Sequence, residues 1–244
     1  MNLIIDIGNT RTKAALFNNC SLVSAHLFQN DSVFIELSKV VDLQQVKKCI
    51  IASVAQNNEA AHQVLKKTIP QTFIYSSNTK IPIKNLYKSA DTLGSDRIPC
   101  IIAAFEQSVG NDVLVVDAGT CVKYNFINKN GEFLGGGISP GLQMRFKALH
   151  NFTARLPLIE TDEKYTELIG TDTTGSIRSG VQTGIVNEID MTISDYIENY
   201  PAVKVFLTGG DAEFLAKRLK NSIFTDPNLV LKGLNSILEF NTKD

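Results

Sequence analysis

Two aspartates in this sequence close apolar runs in the same manner. Asp6 ends the run NLIID and is followed by Ile7, Gly8, Asn9 and Thr10; Asp117 ends VLVVD and is followed by Ala118, Gly119 and Thr120. An aspartate and a glycine turn between two strands leave backbone N–H groups and a hydroxyl facing outward, a set of donors suited to a polyphosphate. The carboxylate adds what those donors lack, a ligand for a magnesium ion that bridges phosphates. A single turn of this kind is ordinary hairpin chemistry, because Asp and Gly are common turn residues. Two copies, each opening one half of the chain, point to duplicated units that face one nucleotide. A later glycine pair, Gly209-Gly210, allows the backbone to approach a flat base or its ribose closely.

The remaining reactive side chains are sparse. In LGSDRI, the residues alone read as a helix N-terminus capped by Ser95 or Asp96. His26, His62 and His150 stand alone, and Cys20, Cys49, Cys100 and Cys121 form no C-x-x-C pair, so neither a zinc site nor a disulfide framework is indicated. Lys and Arg total 24 against 25 Asp and Glu. That balance carries no positive excess to neutralise a phosphate backbone, so nucleic acid is not an expected partner. No run reaches membrane-spanning length, and Asp6 interrupts the N-terminal apolar stretch. A soluble cytoplasmic protein with reduced thiols is expected.

The elements that must position these residues follow from period and punctuation. NLIID, TKAALF and SLVSAHLF read as three strands of an antiparallel meander. KKCIIASV is a strand, and NNEAAHQVLKKTI a helix with asparagine caps, the strand-then-helix order of an α/β fold. SDRIPCIIAAFEQSV is a further helix. DVLVVDAGTCVKYNFI then repeats the opening theme, GEFLGGGISPG supplies a third strand with a glycine-rich turn, and AVKVFLTGGDAEFLAKRL reads as strand, turn and helix. The polar stretch Gly110 to Asp112 is the expected join between an N-terminal domain, 1–111, and a C-terminal domain, 112–244.

Two phosphate hairpins in tandem and a late Gly-Gly turn resemble the superfamily of actin, hexokinase, acetate kinase and the heat-shock chaperone ATPases, which implies two ribonuclease-H-like α/β domains with a nucleotide cleft. The narrower resemblance is to type III pantothenate kinase, carried by DIGNTRTK, LGSDRI, DAGTC, GGGISPGLQMRFKALHNFTARLP, TDTTGSIRSGVQTG and LTGGD. It implies ATP-dependent conversion of pantothenate to 4'-phosphopantothenate by a homodimer, and rests on segments from Asp6 to Asp211. Another small-alcohol or sugar kinase, or an ATP-switched regulatory protein without turnover, remains the alternative.

Residue by residue, the resemblance makes Asp96 the base. Arg97 becomes the clamp on the pantothenate carboxylate, with Gly94, Ser95 and Tyr87 at the substrate. Ile7, Gly8, Asn9, Thr10, Arg11, Thr12, Lys13, Thr120, Gly209 and Gly210 would line ATP. Asp6 would hold magnesium, through water, and Asp117 a monovalent cation, potassium or ammonium. Thr173 would reach the substrate from the second subunit of the dimer. From the residues alone, Tyr87 reads equally as a packing aromatic, Lys13 as a surface strand lysine and Thr173 as a helix cap. Asp172, Cys121 and Ala90 depart from the family's usual Asn, Ala and Pro, and none of these removes a proposed catalytic group.

Overall fold

The computed structural model describes residues 1–8, 11–30, 33–53 and 59–243. The chain separates into two compact units. The first comprises Met1–Gln107, Gly131–Phe133 and Asn228–Asp244, and the second Ser108–Asn130 and Leu134–Pro227. The expected division at 111/112 differs from this partition in three places: residues 108–111 fall in the second unit, and Gly131–Phe133 and the C-terminal segment from Asn228 fall in the first.

In the first unit, β1 (Asn2–Ile7), β2 (Arg11–Asn18) and β3 (Ser21–Gln29) form the antiparallel meander, and β4 (Lys48–Ser53) and β5 (Gln71–Ile74) join it in parallel, giving the order β3-β2-β1-β4-β5. Leu3, Ile4, Ile5, Cys49, Ile50 and Ile51 are all at most 1 % exposed. Central strands covered on both faces read as continuous apolar runs for this reason. The edge strand β3 alternates exposed and half-buried residues instead. Helices α1 (Val33–Val40) and α2 (Glu59–Thr68) precede and follow β4; the asparagine caps expected for α2 lie outside the described residues. A short strand, β6 (Lys84–Asn85), leads towards α3 (Arg97–Glu106).

The second unit opens with β7 (Val113–Ala118), wholly buried, and β8 (Cys121–Ile127), antiparallel to it. The expected third strand is two pieces, β9 (Glu132–Gly135) and β10 (Ile138–Pro140), the second of which pairs with β8. Helices α4 (Leu142–Asn151), α5 (Thr173–Arg178) and α6 (Gly184–Asn199) follow, the last two joined by a π-helical segment, Ser179–Thr183. β11 (Lys204–Thr208) adds in parallel to β7, then come α7 (Ala212–Ala216) and β12 (Phe224–Thr225), parallel to β11. Ile185, Ile189 and Ile193 of α6 are fully buried at i, i+4, i+8 spacing and share a core with Leu114, Val116 and Leu207.

The last helix, α8 (Leu229–Asn241), returns to the first unit and packs on α3, β1, β2 and β4. It also carries polar ties: Asn235 accepts from Asn2 Nδ2 at 2.9 Å and donates to Asn19 O at 2.8 Å, and Ser236 donates to Glu106 at 2.6 Å. The crossing with α3 is so close that a Cβ on Gly233 would sit 1.7 Å from Pro99 O. Gly233→Ala is therefore expected to force α3 and α8 apart and lower stability by about 1–3 kcal/mol or more, measured as the urea midpoint. An unchanged midpoint would refute this packing.

Candidate active site

The first hairpin is fixed by register. Ile7 pairs with Thr12 and Asp6 with Lys13 across β1 and β2, so the carboxylate and the ammonium stem lie on the same face of the ladder. Gly8 N donates to Arg11 O at 3.0 Å, closing the turn. Asn9 and Thr10 lie outside the described residues. Thr12 is 1 % exposed, and its hydroxyl donates to Asn30 Oδ1 at 2.8 Å while Asn30 Nδ2 donates to Gly8 O at 3.0 Å. Thr12 thus faces inward and braces the turn through Asn30, which sequence reading did not single out. Arg11 is exposed, Asp6, Gly8 and Lys13 are half-buried, and Ile7 is core.

The second hairpin repeats the device with tighter partners. Asp117 pairs in register with Lys123, and Lys123 Nζ lies 2.8 Å from Asp117 Oδ2, the two side chains being 18 % and 10 % exposed. Thr120 is exposed at the turn, where Gly119 N donates to Cys121 O at 3.0 Å. Directly beside it runs the Gly209-Gly210 turn. Gly209 has φ +100°, and a Cβ there would lie 2.2 Å from Ala118 O, so two independent constraints demand glycine. Asp211 N then donates to Ala118 O at 2.9 Å. Burial pushes the half-buried Asp211 carboxyl above the ordinary carboxylate range. Asp117, Thr120, Gly209 and Gly210 are thereby brought together within the second unit.

In the first unit, Asp96 occupies the N-cap position of α3, but neither it nor Ser95 performs the capping expected of them. Asp96 makes no side-chain cap bond, and Ser95 Oγ is buried without a hydrogen-bond partner. The Asp96 carboxylate instead lies over Gly94, where an added Cβ would meet Oδ1 at 3.1 Å. Arg97 begins the helix and is 3 % exposed. Its guanidinium carbon stands 5.3 Å from the centre of the Tyr87 ring and 5.9 Å from that of Phe133. Tyr87 is held in turn by Asn85, whose Oδ1 accepts from Tyr87 N at 3.0 Å. Phe133 arrives because β6 pairs in parallel with β9, Asn85 opposite Phe133.

Gly94 and Ser95 also border a cavity of about 130 Å³ that Tyr75, Ser76 and Thr79 help to line. Burial first, then Cys100 and Asp96, push the Tyr75 phenol well above its ordinary range.

Thr173 lies elsewhere, on the second unit. It is the first residue of α5, and its cap is Asp172, whose Oδ1 accepts from Gly175 N at 2.7 Å. Thr173 is therefore not the cap. Thr173 opens onto an apolar groove of about 980 Å³ between α4 and α5, with Arg145, Leu149, Phe152 and Ile177 on its walls.

Comparison with known proteins decides the family. Residues 2–195 match the type III pantothenate kinase family. The type III pantothenate kinase of Bacteroides fragilis (strain YCH46) is 46% identical over 241 residues, covering 99% of this chain and 98% of that protein. This chain belongs to the type III pantothenate kinases. Its fold is shared more widely. The activator of the 2-hydroxyisocaproyl-CoA dehydratase from Clostridium difficile, solved with bound ADPNP, superposes with TM-score 0.53 at 13% identity, covering 98% of this chain and 93% of that chain. A ROK hexokinase from Thermus thermophilus gives TM-score 0.50 at 9% identity over 99% of both chains. The two α/β units are of the ribonuclease-H-like type that the paired hairpins led us to expect.

Within this type III pantothenate kinase, sequence reading missed Asn30, Asn85, Lys123 and Phe133. Lys123 carried a usable signal, because it follows Asp117 at nearly the spacing by which Lys13 follows Asp6. Phe133 carried none, being brought to Arg97 only by strand pairing. The brace at the first turn generates a prediction. Asn30→Ala removes the acceptor of a buried hydroxyl and is expected to cost about 1–3 kcal/mol; Thr12→Val in the same background removes the orphaned hydroxyl and is expected to recover part of that loss in urea unfolding. No recovery would mean that Thr12 and Asn30 do not act as a pair.

Proposed function

We infer that this chain transfers the γ-phosphoryl group of ATP to the primary hydroxyl of pantothenate, giving 4'-phosphopantothenate in coenzyme A biosynthesis. The observation that carries this is the family match along nearly the whole chain. A cytoplasmic location, where ATP is available, fits the reading, as does the absence of any expected nucleic-acid partner or membrane attachment. No helix among the described residues is long and apolar enough to cross a membrane.

The roles follow from the chemistry of the placed groups. Asp96 is the base: as the hydroxyl oxygen attacks the γ-phosphorus and the bond to the bridging oxygen of ADP breaks, the hydroxyl proton passes to its carboxylate. Arg97 clamps the pantothenate carboxylate, a geometry that suits a planar guanidinium fork. The Tyr87 and Phe133 rings beside its guanidinium carbon support it by cation–π contact. Tyr87, Gly94 and Ser95 complete the substrate side.

On the nucleotide side, Asp6 opposite Lys13 on a glycine turn is a fitting set for a magnesium polyphosphate: the carboxylate for the ion, through water, and the ammonium for a phosphate oxygen. Magnesium, when bound, offsets phosphate charge and orients the transferring group. Ile7, Gly8, Asn9, Thr10, Arg11 and Thr12 of the first motif, and Thr120, Gly209 and Gly210 of the later ones, are the remaining ATP contacts in this reading. The monovalent cation expected at Asp117 fits less well, because Lys123 already places an ammonium against Oδ2; no step here is assigned to it.

The active form in this reading is a homodimer in which Thr173 serves the partner's substrate site. The apolar groove beside Thr173 supports it, with Phe152 88% and, nearby in sequence, Leu168 75% and Ile169 77% exposed.

Two experiments test the reading. An ADP-release assay should show turnover with pantothenate and not with a panel of sugars, and Asp96→Asn should lower turnover by roughly 10²- to 10⁴-fold while the protein stays folded. A variant within a few-fold of the parent would remove Asp96 from the chemistry. For the dimer, Asp96→Asn and Thr173→Arg are each expected to be nearly inactive. Co-expressed in equal amounts, they should yield about half heterodimers, each with one whole site, and activity near a quarter of the parent's. Verified heterodimers no more active than either variant would confine Thr173 to its own chain.

A further inference from the structure

We propose that Lys123 supplies, from within the chain, the positive charge that the family resemblance assigns to a potassium or ammonium ion at Asp117, so that this protein needs no added monovalent cation. The proposal rests on the phosphoryl-transfer reading above and concerns how its second hairpin is charged. Three observations carry it. Asp117 and Lys123 are directly opposed in register, and the ammonium touches the carboxylate at 2.8 Å. Asp117 as a residue is only 7% exposed, so its charge is compensated locally rather than by water. The same opposition, Asp6 with Lys13, recurs in the first hairpin, which makes a carboxylate facing a lysine the repeated feature of both turns.

An ammonium group and a potassium ion carry the same charge and are comparable in size. With Nζ at Oδ2, a second monocation bound to that oxygen would lie within a few ångströms of a like charge in a water-poor place, where repulsion is poorly screened. The tethered group has a further consequence for selectivity. A cage of oxygens discriminates between potassium and sodium by size, whereas a lysine fixed by the strand ladder is present whatever the salt. Lys123 therefore positions Asp117 and the turn at Gly119 and Thr120 without an ion.

The test compares the parent with Lys123→Ala in chloride salts of choline, sodium, potassium and ammonium at one ionic strength, which holds screening constant. Parent turnover of pantothenate is expected to agree within about twofold across the four salts. Lys123→Ala is expected to lose roughly 10²-fold in choline chloride and to regain activity in potassium or ammonium. Melting temperature gives a second readout: potassium in place of choline should raise that of Lys123→Ala and leave the parent's unchanged. A parent that loses about tenfold or more in choline, or is thermally stabilised by potassium, overturns the proposal, as does a Lys123→Ala protein with parental activity in choline. Should Lys123→Ala not fold, the parent's own salt series and melting temperatures decide. A parent inactive on pantothenate in every salt refutes the functional reading instead, and the parent's melting temperatures then decide the proposal alone.

Discussion

The constraint on which the candidate site depends is the placement of a carboxylate at the end of a covered strand. A charge taken out of water must be matched nearby, because its lost hydration is otherwise uncompensated. At Asp117 the match is Lys123, set opposite by the antiparallel register of β7 and β8. The strand ladder thus decides two things together: how deep the carboxylate lies and which cation meets it. The turn beyond follows from the same ladder, with Gly209 packed against Ala118 so closely that a side chain has no room.

A second buried charge, Arg97, organises the start of α3 in the first unit. Arg97 starts α3 and is covered, and two aromatic rings face its guanidinium. One ring, Tyr87, lies close in sequence and is held by Asn85; the other, Phe133, comes from a distant strand through a ladder of only two residue pairs. The guanidinium suits this environment better than an ammonium would, since it is planar and more weakly hydrated. Its orientation depends on a strand pairing as much as on its own helix.

Much of the site was legible because hairpin chemistry is local. The two Asp-Gly turns, the strand order of the meander and the helix at Arg97 follow from residue types within a few positions. Three readings changed for local reasons as well. Asp172 caps α5 in place of Thr173, Asp96 and Ser95 do not cap α3, and Thr12 turns inward to Asn30. At α5 more than one polar side chain stood near the same backbone donors, and composition alone does not say which prevails.

By itself the sequence determined the α/β class, the two Asp-Gly hairpins and the family, because apolar period, turn glycines and contiguous motifs are properties of neighbouring residues. Tertiary structure decided what meets across long separations. It returned α8 to the first unit, where Gly233 admits α3, and it set Phe133 beside Arg97. It also brought Lys123 into contact with Asp117. These contacts depend on strand register and on which surfaces bury one another, and neither quantity is written in any single stretch of chain.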